Sequence, residues 1–271
     1  TFLFDRGSSD QGVYLTNLNK GIKSSKDVKV VTADAVKFGG GMGNIARTVN
    51  PEMELPYEVE PFVSGHPRFT EGSRVWLQWA GYADTVYSQT NNMNDYTDDY
   101  ASRGRWVNVL SGGSVKNPHY QGLKVPVDLS FAFHTDAGTF LDDSIVGTLM
   151  IYTKLSNGSD KYPTGESRML AREYADIVQT QIVDDIRANF YEGWSRRGLW
   201  DRSYAESRTP NVPSMLLELL SHQNFADMRF GLDPSFRFVV SRAIYKGMVR
   251  FLSKENGGKY TIQPLPVKNF A

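Results

Sequence analysis

Short apolar runs bounded by turn residues alternate, along residues 70–252, with segments whose apolar residues recur at helical spacing. That alternation constrains the fold more than any other feature of the chain. The runs at 127–134 (VDLSFAFH), 146–152 (VGTLMIY) and 213–220 (PSMLLELL) read as strands that are apolar on both faces. Strands of that kind must be covered on both sides. The expected fold is therefore α/β, a mostly parallel sheet with helices on both faces.

The intervening helices have legible ends. Thr70 is placed to cap a helix carrying Val75, Trp76, Trp79 and Ala80, which Gly81 would stop. A short strand is expected at Thr85, Val86 and Tyr87. Asp98 or Asp99 opens a helix through Leu110, closed by Gly112 and Gly113. From Ser167 onward, Leu170, Tyr174, Ile177, Val178, Ile182, Ile186 and Phe190 share one helical face. The last helix spans 234–252, with Pro234 suited to its first turn.

Upstream, residues 1–39 read as short β-prone runs separated by turns, a β-rich remnant too small to bury a core alone. Residues 40–69 are loop-like, rich in glycine and proline, and 254–271 read as an extended linker. The chain starts at Thr1 with no signal-like segment behind it, and the expectation is an internal piece of a larger protein. Thirty basic residues balance thirty acidic ones, so charge gives no case for nucleic acid. No apolar run has the length of a membrane span. There is no cysteine, which excludes disulfides, thiolate metal sites and cysteine nucleophiles.

In a parallel sheet, ligands gather at the carboxyl ends of the strands. Two polar residues stand there. His134 ends the 127–134 run and leads into Thr135, Asp136, Ala137 and Gly138. It is placed to offer a nitrogen to a metal or substrate, or simply to cap the strand on a backbone carbonyl. Glu218 stands among Leu216, Leu217, Leu219 and Leu220. Burial there raises a carboxyl pKa, which suits a general base; an ion pair to Arg196, Arg197 or Arg208 is the structural alternative. His222, just beyond, could line the same cleft.

Other features carry less. Gly41, Gly43 and Ala46 fit a GxGxxA dinucleotide pattern, but Pro51 stops the helix and no acidic residue follows where that motif needs one. His119 reads as a turn residue. His66 reads as a loop residue, with Glu71 near enough to suggest a substitute metal pair. Asp95, Asp98 and Asp99 read as charge favourable to a helix N-terminus. No serine sits in a GxSxG setting, so a Ser–His–Asp triad is unsupported.

Together the segments resemble the catalytic domain of zinc-dependent N-acetylmuramoyl-L-alanine amidases, the AmiC/CwlV-like group with its amidase/phosphorylase-like fold. Ser130, Phe131, Ala132, Phe133, His134, Thr135, Asp136 and Ala137 match that family's Ser-(apolar)-His-Ala-Asn-Ala strand end. Leu216 to Asn224 (LLELLSHQN) match its late apolar-Glu strand, with the family's Gly-Phe replaced. Arg197, Gly198 and Leu199 resemble its Arg-Gly turn, and the segment 98–108 its Arg-then-Ala-Asn helix. The chain also resembles multidomain envelope proteins of Bacteroides-type bacteria, often labelled xanthan lyase, in which a golvesin-like β domain interrupts the amidase domain. Residues 31–39 resemble the last strand of such an insert; nothing in the residues supports the lyase label.

The resemblance implies a zinc ion held by His134 and by an early histidine and glutamate. Those two have no match here and, in the family's order, would lie on an upstream segment of the same protein. Zinc lowers the pKa of bound water from 15.7 to about 7. Glu218 would act on that water as base, then as acid to the leaving amine, in a secreted or periplasmic enzyme acting on peptidoglycan or muropeptides. Ser130, Asp136, Arg197, His222 and Asn224 would line the site. The rival expectation is a non-catalytic wall- or carbohydrate-binding protein on a degenerate amidase scaffold, with its tryptophans and tyrosines stacking on sugar.

Overall fold

The structure, a computed structural model, describes residues 71–140 and 142–265. The expected β remnant, the 40–69 loop with its GxGxxA pattern and His66, and the end of the linker beyond residue 265 lie outside the described residues. In chain order the elements are α1 (Ser73–Trp79), α2 (Asp84–Tyr87), α3 (Asp95–Ser111), β1 (Ser130–Asp136), β2 (Thr148–Tyr152), α4 (Met169–Asn189), β3 (Arg196–Asp201), α5 (Ala205–Arg208), β4 (Ser214–Ser221), α6 (Phe225–Gly231) and α7 (Pro234–Glu255).

The four strands form one sheet in the order β1-β4-β2-β3. β1 pairs with β4 and β2 with β3 in parallel, while β2 and β4 run antiparallel. The fold is thus α/β with a mixed, mostly parallel sheet. The central strands β2 and β4 are buried almost throughout, as their unbroken apolar runs require. β1 and β3 are outer strands of this sheet and are only half covered, which is why Phe133 is 53% exposed.

One face of the sheet carries the main core. α4 turns Tyr174, Val178, Ile182 and Ile186 onto Met150, Met215, Leu217 and Leu219, and α7 closes the layer with Phe236, Val240 and Phe251. Fully burying each large apolar side chain contributes roughly 1.5–3 kcal/mol, so this layer sets the position of β4. Two buried polar groups fix its edges. Asp227, at the start of α6, accepts from the backbone N–H groups of Val146, Gly147 and Ser221. Gln179 of α4 donates to the carbonyls of Thr148 and Arg197, tying the helix to both β2 and β3.

The opposite face carries α5, packed on β1, β2 and β4, with α3 lying over it. Gly104 allows that approach: a Cβ there would stand 2.7 Å from Cβ of Thr209.

Several expectations need correction. Thr85, Val86 and Tyr87 belong to a helical turn, not a strand. Val86 and Tyr87 bury themselves beside Leu77, and that packing overrides their β propensity. α3 opens at Asp95 with Asn94 as its cap, the Asn94 side chain accepting from the N–H of Thr97. Asp98 and Asp99 are not mere helix-end charge: Asp98 is buried and accepts from the N–H of Thr90, and Asp99 accepts from the hydroxyl of Ser73. Arg197, Gly198 and Leu199, expected to resemble an Arg-Gly turn, lie within the outer strand β3. After α7, the extended residues 258–265 fold back, with the carbonyl of Gln263 accepting from Arg242.

Candidate active site

His134 and Glu218 are direct neighbours across the sheet. In the β1–β4 register His134 lies opposite Glu218, and in the β4–β2 register Glu218 lies opposite Leu149. The row His134–Glu218–Leu149 therefore crosses three strands at the carboxyl end of β1 and β4. The next row, Ala132–Leu216–Ile151, shares its face, two residues back on β1 and β4 and two residues on along the antiparallel β2. That row is apolar and supports the polar one from beneath.

Neither Arg196, Arg197 nor Arg208 pairs with Glu218. Arg196 reaches Asp176 at 2.5 Å, and Arg197 reaches Asp136 at 2.7 Å. Among the described residues, Oε2 of Glu218 is buried with no hydrogen-bond partner. Burial raises the Glu218 pKa, and the charge of Asp136 adds to the rise against the opposing pull of His134 and Arg197. A carboxylate so placed holds its proton longer than an exposed one and has an oxygen free for another group.

His134 is held by a residue that sequence reasoning did not single out. Its Nε2 lies 2.8 Å from Oε1 of Glu206, on α5. The same oxygen accepts from Nη1 of Arg103 at 2.5 Å, and Nη2 of Arg103 donates to Asp99 at 2.6 Å. The hydrogen bond to Glu206 raises the His134 pKa above its ordinary value. For Glu206 burial works in the upward direction, but the bonds from His134 and Arg103 outweigh it and hold the carboxyl below its usual range. The chain Asp99–Arg103–Glu206–His134, alternating in sign when His134 is protonated, ends beside Glu218. Nothing local in residues 205–208 announces this role, because Glu206 meets His134 only through the sheet and the α3–α5 contact.

The remaining expected residues fall into two groups. Ser130 lines a cavity of about 270 Å³ together with Arg103, His134 and Glu206. Asp136 follows His134 by two positions and pairs with Arg197. Burial would raise its pKa, but the bonds from Arg197 and from the N–H of Ala137 hold it below the ordinary value. His222 is exposed, and its Nδ1 lies 3.1 Å from the hydroxyl of Thr135. Asn224 is buried away from the cavity. It caps α6 by accepting from the N–H of Asp227, and it donates to the carbonyl of Ser144.

A second cavity, of about 600 Å³, opens over Glu218 itself. His134, Glu206, Arg103, Tyr204 and Arg208 share its wall. It is wide enough for a substrate segment, and it places a proton-holding carboxyl, a cation-prone imidazole and a guanidinium around one space.

No three histidine, aspartate or glutamate residues come together as a metal-holding group among the described residues. Nε2 of His134 faces Glu206, and the Glu206 oxygen it meets is already bonded to the guanidinium of Arg103. A fixed positive charge on the nearest carboxylate opposes a divalent cation. By themselves, the described residues do not fit a zinc ion. Glu71, the suggested partner of His66, is described but does not enter the site.

No protein-family model matches the chain, and no curated protein matches its sequence. Among solved structures it is similar in part to several amidases, among them the following three. The N-acetylmuramoyl-L-alanine amidase AmiC2 of Nostoc punctiforme matches at 16% identity and a TM-score of 0.37 over 47% of this chain and 59% of that one. The N-acetylmuramoyl-L-alanine amidase of Clostridium difficile 630 matches at 16% identity and a TM-score of 0.42, over 64% and 80%. The catalytic domain of CwlV from Bacillus (Paenibacillus) polymyxa var. colistinus matches at 14% identity and a TM-score of 0.37, over 62% and 89%. The chain thus spans 59% of the length of the Nostoc protein's structure. At scores this low the likenesses assign neither an activity nor a residue role. Among the described residues no helix is long and apolar enough to cross a membrane.

Proposed function

We propose that this chain carries the acid–base part of a site that hydrolyses the N-acetylmuramoyl-L-alanine amide bond of peptidoglycan, with Glu218 as the group that moves the proton. The observation that carries the reading is the placement of Glu218: opposite His134 in register, under a substrate-sized cavity, with a buried oxygen and no partner. The motif resemblance around His134 and Glu218 supplies the substrate. Ser130 fits as a residue of the smaller cavity beside His134, Asp136, Arg197 and His222 stand beyond the residues that line the Glu218 cavity, and Asn224 supports the α6 end.

The chemistry follows from the geometry. Glu218 takes a proton from a water as its oxygen bonds to the amide carbon, and the carbonyl oxygen becomes negative. Whenever His134 is protonated, the state its bond to Glu206 favours, it stabilises that negative oxygen nearby. Glu218 then returns the proton to the amine nitrogen as the C–N bond breaks, leaving a lactyl carboxylate and a free L-alanine amine. Burial suits Glu218 to both halves, since its raised pKa lies closer to a neutral working pH.

The proposal extends to setting and cofactor. The protein would act on wall material in the cell envelope, secreted or periplasmic. Zinc would need ligands beyond the described residues, from an upstream segment of a longer chain, and His134 would join them only as a neutral imidazole, giving up its charged role. The test is to incubate the protein, with and without added zinc, with an N-acetylmuramoyl-peptide and to follow the free N-terminal L-alanine by mass spectrometry. Release of that amine supports the reading. No release under either condition, from this chain or from a longer one, overturns it and leaves the wall-binding alternative.

A further inference from the structure

Next to the Glu218 cavity lies a polar basin of similar size that the hydrolytic reading does not use. It has a volume of about 550 Å³, and Tyr100, Ala205 and Arg208 line both spaces, so the two adjoin. Its walls hold two guanidinium groups, Arg105 and Arg208, and no carboxylate. Elsewhere around the site each cation is matched: Arg103 by Asp99 and Glu206, Arg197 by Asp136. Among the described residues no acidic side chain pairs with Arg105 or Arg208.

Both guanidiniums are nonetheless fixed. Arg208 donates through Nη1 to the carbonyl and hydroxyl oxygens of Ser203, at 3.1 and 2.8 Å. Arg105 donates through Nη1 to the carbonyl of Thr85 at 3.0 Å. In each, Nη2 makes no hydrogen bond among the described residues. Two half-buried forks, each pinned on one side and open on the other, are prepared for a planar anion with two oxygens. Tyr100, Tyr120 and Asn157 line the same basin, adding aromatic and amide surface. This wall suits a peptide: aromatic surface for its stem, amide for its backbone, guanidinium for its acid.

We infer that the basin bounded by Arg105 and Arg208 binds a carboxylate of an acidic peptide whose scissile amide lies at Glu218. The inference rests on the hydrolytic reading for the direction of the peptide, but its recognition chemistry stands on the two unmatched arginines. Arg208 is the closer anchor, because it alone of the two also lines the Glu218 cavity. The site would therefore prefer a peptide with a free acid soon after the cleaved bond over the same peptide amidated there.

The test uses two synthetic probes in the Glu218→Gln protein, which keeps them uncut. One is an N-acetylmuramoyl-L-alanyl-glutamate with a free carboxylate; the other is the same compound as its amide. Calorimetric titration is expected to show the acid binding about tenfold more tightly, the equivalent of 1.4 kcal/mol. Arg208→Gln should remove that preference, Arg105→Gln should reduce it, and Arg208→Lys should keep part of it. Should an arginine variant fail to fold, salt provides a second reading, since the preference should shrink as ionic strength rises. Equal affinity for acid and amide, a preference indifferent to salt, or no binding of either probe overturns the inference. The two readings fail separately. A wild-type protein that never releases L-alanine but keeps the acid preference sinks only the hydrolytic one. A protein that cleaves both probes with equal affinity sinks only this one.

Discussion

Replacing Glu218 by leucine sets stability against activity at a single position. Oε2 of Glu218 is buried without a partner. An unsatisfied buried polar atom costs roughly 1–3 kcal/mol, and because this side chain is only partly covered the lower half of that range applies. A leucine would lie in the row beside Leu149 and above Leu216 and Ile151, adding about 0.5–1 kcal/mol of apolar contact. The sum is a gain of about 1.5–3 kcal/mol, or about 3–12 °C in Tm for a protein of this size. The gain should depend on pH with a definite sign. The folded-state pKa of Glu218 is raised, so its contribution is fully present below the unfolded carboxyl pKa and is lost as pH rises through the folded one. Leucine does not titrate, so its advantage should be small in acid and should grow towards neutral pH. Thermal unfolding of both proteins by circular dichroism, across a series of pH values, reads the difference directly. A lower Tm for the variant, or a difference that stays flat with pH, would refute the reasoning, because Glu218 would then have a partner that compensates its burial.

Three further outcomes follow from the same structure. Glu206→Gln removes the carboxylate that holds His134, so NMR titration of that imidazole should move to lower pH; an unchanged midpoint would show that Glu206 does not set it. Because the Glu206 pKa is depressed in the fold, its stabilisation is present above the unfolded carboxyl pKa and lost as pH falls through the folded one, and the variant should lack that part of the acid limb. Asp227→Ala leaves the N–H groups of Val146, Gly147 and Ser221 without their acceptor and should cost about 2–4 kcal/mol in urea unfolding; under about 1 kcal/mol would mean that they find other acceptors. Gly147→Ala forces a side chain onto a backbone at φ +78°, with its Cβ 2.2 Å from the carbonyl oxygen of Ser195, and should destabilise by more than about 2 kcal/mol; a neutral result in the same assay would show that β2 and the 195 loop can separate.

The central strands were legible because burial on both faces writes itself as an unbroken apolar run, and β4 needed no other cue. α4 and α7 were legible through their spacing, and Pro234 marked the start of its helix. β3 was not, since an outer strand with only half its surface covered can carry Arg196, Arg197 and Gly198, the residues that otherwise read as a turn. The antiparallel β2–β4 pairing left no trace in residue types, because a fully buried strand looks the same in either direction. At the site, His134 and Glu218 stood out by the cost of placing polar groups at the end of, or within, apolar strands. Glu206 and Arg103 were hidden. Each sits on a helix where a charged residue is ordinary, and only the packing of α3 against α5 brings them to His134.

The most direct test of the central claim is the rate of L-alanine release from an N-acetylmuramoyl-peptide by the wild-type protein and by Glu218→Gln, under whichever metal condition gives turnover. Gln keeps the shape of the side chain and removes the proton-carrying oxygen, so folding is preserved and a general acid–base role is isolated. Loss of a general acid–base group typically costs about 10²–10⁴-fold in rate. A fall in kcat of that size with little change in KM is the result this account requires. Turnover that survives in Glu218→Gln would contradict it, and the proton would have to be carried by another group.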